Sequence, residues 1–169
     1  MNHTRQTIQL EKRHRLSQTV MQLQDIPRLA EAVSHMMEDY SHTWVGIVEN
    51  QQVVYSYDEN HRLEVGGKRL IGWVAAHGEP LFVNHVDKDA RYLRIGDQID
   101  PTCSELVVPI KKDDQVLGVL DLHADTHDAF SEGDLQFAES LAQVLSVAIQ
   151  NACLYEDSRI QAERLSLVA

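Results

Sequence analysis

Asp121 is the residue of this sequence whose position most strongly suggests a functional site. It lies in the apolar segment from Val116 to Leu122, two residues before His123. Burying a carboxylate without a partner is costly, so a charge on an apolar strand face needs either a counter-ion or a ligand. Two interpretations stay open: a structural ion pair with a residue such as Arg91 or Arg94, or a polar anchor for a bound molecule.

Other groups that can bind metals are scattered along the chain. Histidines in such positions are usually surface residues or satisfied core groups, so we expect no metal site, although the ligand types would suit iron or zinc. The groups considered are His77, His85, His123, His127, Asp87, Asp89, Asp121 and Cys103.

The two cysteines predict neither a disulfide framework nor a redox pair. Cys103 and Cys153 lie far apart and form no Cys-x-x-Cys motif, which is typical of a protein from the reducing cytoplasm. We expect Cys103 to be an inert thiol. The sequence also contains no phosphate-cradling Gly-rich loop, nucleophile elbow or HExxH run, so we expect no catalytic residues and no enzyme activity.

The composition excludes several classes of partner. The formal net charge is -11, which disfavours binding to nucleic acids and anionic lipids, because both require clustered cations. The chain has no apolar run of roughly 18–20 residues, the length of a membrane span. We therefore expect a cytoplasmic protein without a membrane segment.

The first half of the chain predicts two helices followed by a hairpin. Residues 5–24 form the first predicted helix. The second begins near Pro27 with Asp25 as its N-cap and runs to about Tyr40. The segments that follow are predicted as strands at Trp44–Val48, Val53–Tyr57 and Pro80–Val83, a polar loop at His61–Lys68, a short helix at Leu70–Ala76 ended by Gly78, and an irregular stretch at 84–103.

A second hairpin is predicted around the turn Asp113-Asp114. Regular pairing about that turn places Leu106 opposite Asp121, Val108 opposite Val119 and Ile110 opposite Leu117. Gly118 is expected to let a helix approach the sheet. One face is then predicted to carry Leu106, Val108, Ile110, Leu117, Val119, Asp121 and His123, and the other Val107, Pro109, Gly118, Leu120 and Leu122.

The last predicted helix begins after Ser131 as its N-cap and can continue to Leu165. Small and apolar residues recur along it with alternating steps of three and four, which predicts a heptad seam for a parallel homodimer. A second apolar row includes Phe137, Val144 and Val147, so one row can cover the sheet while the other meets a partner. The predicted seam consists of Ala138, Leu141, Leu145, Ala148, Ala152 and Tyr155.

Several short motifs, taken together, resemble the GAF domain family over roughly residues 25–155. Gly72-Trp73-Val74 followed by Gly78-Glu79-Pro80-Leu81 is similar to the family's G-x-V…G-x-P segment. The other segments that carry the resemblance are Asp87-Lys88-Asp89-Ala90-Arg91-Tyr92, Ser104-Glu105-Leu106-Val107-Val108-Pro109-Ile110, Leu117-Gly118-Val119-Leu120, Ala129-Phe130-Ser131-Glu132-Gly133-Asp134-Leu135 and Ala148-Ile149-Gln150-Asn151-Ala152-Cys153-Leu154-Tyr155.

The resemblance implies an α+β fold with an antiparallel sheet of five or six strands. It implies terminal helices on one face and a loop-rich ligand lid on the other. We accordingly expect residues 1–24 to be a signalling or dimerisation helix, residues 25–155 to be the GAF domain, and residues 156–169 to be a helical extension toward a partner or output domain.

The same resemblance implies a sensory or regulatory role, as in sensor histidine kinases, diguanylate cyclases or transcription regulators. The domain would bind a small molecule or relay a signal through its terminal helices. Two alternatives are a dimerisation module without a ligand and, more remotely, a thiol-dependent enzyme of the methionine sulfoxide reductase type. Fold does not fix the ligand, so its identity and any cofactor stay unknown.

Two ligands of the family fit this sequence poorly. Members that bind cyclic nucleotides carry an Asn-Lys pair, then Phe, three residues and Asp-Glu. Here Phe130 and Asp134 match, whereas Leu135 replaces the Glu and Ala124-Asp125 replace the Asn-Lys pair. Bilin-binding members attach the chromophore through a Cys-His pair, and Cys103 is followed by a serine.

The sequence predicts a ligand cavity between the sheet and the segment 84–103. The polar pair on β-strand residues beneath an irregular segment motivates this prediction. The sheet side would consist of Val119, Asp121 and His123, and the far wall of Tyr92, Arg94 and Cys103.

Overall fold

The computed structural model of the chain describes residues 25–37, 40–55, 58–92 and 101–167, together with residues 7, 11, 14, 15 and 18. Among the described residues, the elements follow one another as α1 (Ile26–Met36), β1 (His42–Glu49), β2 (Gln52–Tyr55), β3 (Asp58–Glu64), α2 (Leu70–His77), β4 (Leu81–Val83), a short 3₁₀ helix (Val86–Lys88), β5 (Ser104–Lys112), β6 (Gln115–Ala124) and α3 (Glu132–Ser166).

The six strands form one antiparallel sheet in the order β3-β2-β1-β6-β5-β4. This architecture confirms the predicted α+β fold. The prediction of a loop at His61–Lys68 is wrong at its start, because strand β3 extends to Glu64 and pairs Leu63 with Val53. The segment was missed because an edge strand tolerates charged residues and needs no continuous apolar pattern.

Helices α1 and α3 pack on the same face of the sheet, which we call the helix face. Its core is mainly apolar: Leu29 and Val33 of α1 and Leu141 and Leu145 of α3 are almost completely buried. The strand residues that they cover include Val45, Leu106, Val108, Ile110, Leu120 and Leu122.

Both helices of this face begin with a side-chain cap. Asp25 accepts a hydrogen bond of 2.9 Å from the amide of Arg28 at the start of α1. At the start of α3, Ser131 and Asp134 form a capping box, in which each side chain accepts from the other residue's amide. The N-caps predicted from the sequence are confirmed, whereas α1 ends at Met36 rather than near Tyr40.

The opposite face, which we call the lid face, is covered in part by α2. Leu70, Ile71 and Val74 of this helix pack with Val107 and Val119 of the central strands. The helix ends where predicted, because Gly78 adopts the left-handed conformation with a φ of 65° and closes the last turn on the carbonyl of Val74.

The predicted register of the β5–β6 hairpin is wrong by one residue. Lys112 pairs with Gln115 and Lys111 with Val116, as a regular hairpin requires, but Ile110 then pairs with Gly118. A β-bulge at Leu117 shifts every later pair by one residue. Val107 therefore lies opposite Asp121, and Leu106 lies opposite Leu122.

This shift corrects the predicted distribution of side chains between the two faces. Leu106, Val108 and Ile110 face the helices together with Leu120 and Leu122. The other set lies on the lid face, where Val119 packs with Val107. Asp121 and His123 share the parity of Val119 and therefore belong to the same face.

Gly118 allows the close approach of a neighbouring strand, whereas the sequence predicted the approach of a helix. A Cβ atom at this position would lie 2.3 Å from the carbonyl oxygen of Gly46 on strand β1. The neighbouring strand, rather than a helix, therefore requires glycine here.

Helix α3 continues far beyond the core of the domain. Every residue from Cys153 to Leu167 is exposed, and the fourteen of them that are helical span about 21 Å at 1.5 Å per residue. Among the described helices, none combines the length and the apolar character that crossing a bilayer requires.

Candidate functional site

A polar cluster lies on the lid face, where the end of β6 meets the start of β5. Glu105 and His123 are cross-strand partners in the antiparallel ladder, and Asp121 is two residues away on β6. The Nε2 atom of His123 lies 3.1 Å from Asp121 Oδ2. Its Nδ1 atom lies 3.0 Å from the hydroxyl of Thr102, just before β5. Both ring nitrogens of His123 are thus engaged.

The roles within this chain of contacts follow from what each group can donate. A carboxylate only accepts, so His123 donates from Nε2–H to Asp121. In the neutral imidazole, Nδ1 then accepts from the Thr102 hydroxyl, and in the imidazolium it donates to that oxygen. The arrangement fixes the ring orientation and lets His123 change its charge without losing either contact.

The carboxylates of the cluster are unusually well buried. Glu105 is 4% exposed and Asp121 is 0% exposed, although Asp and Glu are almost never fully buried in proteins unless paired. The ligating atoms of Glu105, Asp121 and His123 lie within 4.8 Å of one another. Such a set of acceptors can bind a cation or the hydrogen-bond donors of a small molecule.

The structure places the sequence-predicted sheet residues in two different settings. Asp121 and His123 are in direct contact within the polar cluster. Val119 instead belongs to the apolar cluster beneath α2, where it is fully buried, and Tyr92 packs against the same apolar cluster. Arg94 lies outside the described residues.

Cys103 is held by its own segment. Its thiol donates to the carbonyl of Pro101 at 3.5 Å, and its amide donates to the carbonyl of Ala124 at 2.8 Å. The side chain is partly exposed. Its neighbour Thr102 contacts the polar cluster through the ring of His123.

One of the two partners considered for Asp121 is excluded. Arg91 forms a two-pronged ion pair with Asp89, at 2.9 Å from Nε and 2.7 Å from Nη2. Its guanidinium also lies 5.5 Å from the centre of the Trp73 ring. The hydrogen bond from Arg91 holds the pKa of Asp89 below its ordinary value, so this pair stabilises the turn at 89–91, within the lid segment.

Sequence reasoning missed Glu105 and Thr102 as members of the cluster. The regular hairpin register paired the wrong residues, and only the bulge at Leu117 brings Glu105 opposite His123. The alternation of side chains along β5 could have indicated Glu105. Leu106 and Val108 point to one face of the strand, so Glu105 and Val107 point to the other.

Histidines that are scattered in the sequence also meet in the structure. His85 and His127 stack with a distance of 4.6 Å between ring centres. Asp87 completes a group whose ligating atoms lie within 4.8 Å of one another. This second cluster lies outside the polar cluster on the sheet.

Most residues of the predicted dimer seam are buried within the domain itself. Ala138, Leu141, Leu145, Ala148 and Ala152 are buried, and the first four belong to the core of the helix face. Of the predicted seam, Tyr155 is exposed. The exposed apolar side chains of α3 are Val147, Leu154, Tyr155, Ile160, Leu165 and, just after the helix, Leu167.

Among the described residues, an open groove of about 320 Å³ also lies between α1 and β1, on the helix face. Its lining includes Ser34 and Thr43, and the hydroxyl of Ser34 donates to the carbonyl of Thr43 at 2.9 Å. The cavity predicted from the sequence lies on the opposite face, and much of its predicted wall, at 93–100, lies outside the described residues.

Comparison with known proteins agrees with this fold. A family model of the GAF domain matches residues 26–150. The chain therefore belongs to the GAF domain family. Among curated proteins it is similar to a dual 3',5'-cyclic-AMP and -GMP phosphodiesterase 11A of Takifugu rubripes, with 31% identity over 106 residues. That match covers 58% of this chain and only 11% of the relative.

Among solved structures, the chain is similar to the GAF domain of a phosphoenolpyruvate-protein phosphotransferase from Coxiella burnetii. The TM-score is 0.80 at 18% identity, covering 89% of this chain and 98% of the other. It is also similar to a free methionine-R-sulfoxide reductase from Neisseria meningitidis, with a TM-score of 0.77 at 18% identity, covering 87% and 91%. At this level of identity the likeness shows the fold alone.

Proposed function

We propose that this GAF domain is a sensory or regulatory module that binds a small molecule on its lid face and relays binding through its terminal helices. The observation that carries the proposal is the burial of Glu105 and Asp121 beside His123. A stable core gains little from such a cluster, because desolvation of charges offsets their attraction to a partner. Binding of a ligand gives these residues a role.

The chemistry of the cluster favours a ligand that carries N–H donors or a positive charge. The two carboxylates offer several acceptor atoms within a small volume, beside an imidazole whose ring nitrogens are already engaged. Aromatic side chains of Trp44, Trp73 and Tyr92 pack against the same face and can cover the apolar part of such a molecule. A small amine or a nitrogen heterocycle fits both features.

Cyclic nucleotides fit this site poorly, although the name of the phosphodiesterase relative includes them. Phosphate esters need cations and N–H donors, and the lid-face cluster supplies carboxylates. The matching motif residues also have another use here. Asp134 caps α3 and lies 3.3 Å from the hydroxyl of Tyr40, and Phe130 stacks on the ring of Tyr40.

The route from the site to α3 is short and continuous. Strand β6 carries Asp121 and His123, ends at Ala124, and is followed by a short loop that enters α3 at Glu132. Changes at the end of β6 therefore act on the base of the helix whose far end is exposed. The exposed extension from Cys153 onward can contact a partner chain or an output domain and transmit movements of the helix to it.

We propose a parallel homodimer through the exposed rows of α3, in place of the largely buried seam. Val147, Leu154 and Leu165 recur with spacings of 7 and 11 residues, which keeps them on one side of a helix. Light scattering across a dilution series measures the mass of the full chain and of a chain lacking residues 1–24 and 157–169. A full-length chain that is already monomeric at high micromolar concentration contradicts the dimer.

Native mass spectrometry of the freshly purified full chain tests the ligand proposal. We expect a bound small molecule on the wild-type chain that is lost in the Glu105→Gln/Asp121→Asn double variant. The matched control is Glu132→Gln, which removes an exposed carboxylate and should leave the bound mass unchanged. A wild-type chain without bound mass, but with the predicted dimer, favours the alternative of a dimerisation module without a ligand.

A thiol-dependent enzyme of the methionine sulfoxide reductase type is the second alternative, since solved reductases share the fold. It would use Cys103, the thiol next to the polar cluster. Turnover of free methionine-R-sulfoxide with dithiothreitol tests this alternative. Our proposal predicts no turnover, and activity that Cys103→Ser abolishes would establish the enzyme instead.

A further inference from the structure

The first turn of the lid and the loop before α3 are fastened together by Asn84. Its side-chain amide donates to the carbonyl of Phe130 at 2.9 Å, and its side-chain oxygen accepts from the amide of Phe130 at 3.0 Å. The carbonyl of Asn84 accepts from the amide of Asp128 at 3.2 Å. The hydroxyl of Ser104 lies within 3.0 Å of the carbonyls of Asn84 and Thr126. The two segments therefore keep a fixed separation.

Three side chains of types that can bind a metal ion lie on these two fastened segments and meet. His85 and Asp87 come from the lid turn, and His127 comes from the loop before α3. The two imidazole rings stack at 4.6 Å with an angle of 21° between their planes. The ligating atoms of all three residues lie within 4.8 Å of one another, so small side-chain rotations suffice to place each about 2.1 Å from one ion.

The donor set identifies the class of ion. Two imidazoles and one carboxylate suit Zn²⁺ and other first-row divalent ions, whereas Ca²⁺ and Mg²⁺ prefer oxygen ligands alone. His85 Nε2 also lies 3.3 Å from Asp128 Oδ1. A carboxylate against one ring nitrogen orients a metal-binding histidine. Together the two aspartates supply the charge that balances a dication.

We propose that His85, Asp87 and His127 form a binding site for a divalent transition-metal ion such as Zn²⁺. The ion cross-links the turn that opens the lid to the loop that leads into α3. Its binding stiffens the junction between the proposed ligand site and the signalling helix. The site does not depend on the polar cluster of Glu105, Asp121 and His123.

Isothermal titration of the metal-free full chain with ZnCl₂ tests the site. We expect one ion per chain, and a loss of affinity of about tenfold or more in the His85→Ala/His127→Ala double variant. His35→Ala removes an exposed histidine of α1 and should bind zinc like the wild type. The Glu105→Gln/Asp121→Asn variant should also bind like the wild type, which separates this site from the proposed ligand site.

Two further measurements complete the test. Co²⁺ bound to the wild type should show d–d absorption that the double variant lacks, and Zn²⁺ should slow hydrogen exchange at residues 84–89 and 126–131. If circular dichroism shows the double variant to be unfolded, Asp87→Asn takes its place with the same expectation. Zinc affinity that is unchanged in the variants, or a wild-type chain that does not bind zinc at millimolar concentration, overturns the proposal.

Discussion

The two faces of the sheet are built from the same strands but differ in the side chains that they carry. On the helix face, the alternate residues from Leu106 to Ile110 and from Leu120 to Ala124 are apolar and pack against two helices. On the lid face, the same strands carry apolar residues beneath α2 but end in Glu105, Asp121 and His123. The helix face therefore holds the fold together, while the buried carboxylates at the polar end of the lid face contribute little to stability, and we propose that they serve binding.

The largest expected effect comes from truncating a core side chain on the helix face. Leu145→Ala removes a fully buried side chain of α3, and we expect it to lower the free energy of unfolding by about 2–5 kcal/mol. Urea denaturation followed by circular dichroism measures the loss. The control Leu165→Ala alters an exposed residue of the same helix and should change stability by about 0.5 kcal/mol or less. Equal losses in both variants would contradict the division of roles.

Deleting Leu117 tests the bulge that assigns side chains to the two faces. Without this residue the pairs on either side of the bulge join into one regular ladder, so the later residues keep their faces. We expect a loss of only about 1–2 kcal/mol, from the partly buried leucine side chain. Deleting Val108 of β5 instead removes a residue whose absence the loss of the bulge cannot compensate, so the preceding residues of β5 move to the opposite face, and this deletion should prevent folding. The same denaturation experiment compares the two deletions, and similar stabilities would show that the register is regular.

Asp121→Asn tests whether the lid-face carboxylate serves the fold. Asparagine has the same shape and can still accept from His123, so we expect the free energy of unfolding to change by about 1 kcal/mol or less. The variant should nevertheless lose the bound molecule in native mass spectrometry. A destabilisation as large as that of Leu145→Ala would assign Asp121 to the core of the fold.

The smallest expected effect concerns the Asp89–Arg91 pair. The pKa of Asp89 is lowered from 3.8, chiefly by the side-chain hydrogen bond from Arg91. A lowered pKa in the folded state means that the ionised form stabilises the fold above pH 3.8, and that this contribution disappears as the pH falls through the folded value. Because Arg91 is partly exposed, we expect about 0.5 kcal/mol.

The measurement compares the wild-type chain with Asp89→Asn in urea denaturation at several pH values. The difference in stability should stay constant from pH 7 to about pH 5 and should shrink below that. A difference that is the same at pH 7 and pH 3 would show that the ionised pair contributes nothing to the fold.

Features that local sequence controls were predicted well. Ser131 and Asp25 are short polar residues before apolar helical patterns, and both cap helices as expected. Gly78 ends α2 because its backbone must be left-handed. These outcomes depend on a few neighbouring residues, and therefore the sequence contains the information needed to predict them.

Features that depend on pairing between distant segments were predicted less well. The bulge at Leu117 has no local signal, and it places Glu105 on the same face as Asp121, whereas the predicted regular register put these two residues on opposite faces. The meeting of His85 with His127 depends on two loops fastened through Asn84. The apolar row from Ala138 to Ala152 could pack against a partner helix or against the core of its own domain. In the folded chain most of this row packs against the sheet.

The proposed ligand site is tested most directly by an experimental structure of the freshly purified full chain that includes residues 93–100. We expect a non-protein molecule within hydrogen-bond distance of Glu105 and Asp121, enclosed by the segment 93–100. A structure in which that segment packs directly onto both carboxylates and leaves no space between would contradict the proposed site, because the lid face would then be a core like the helix face.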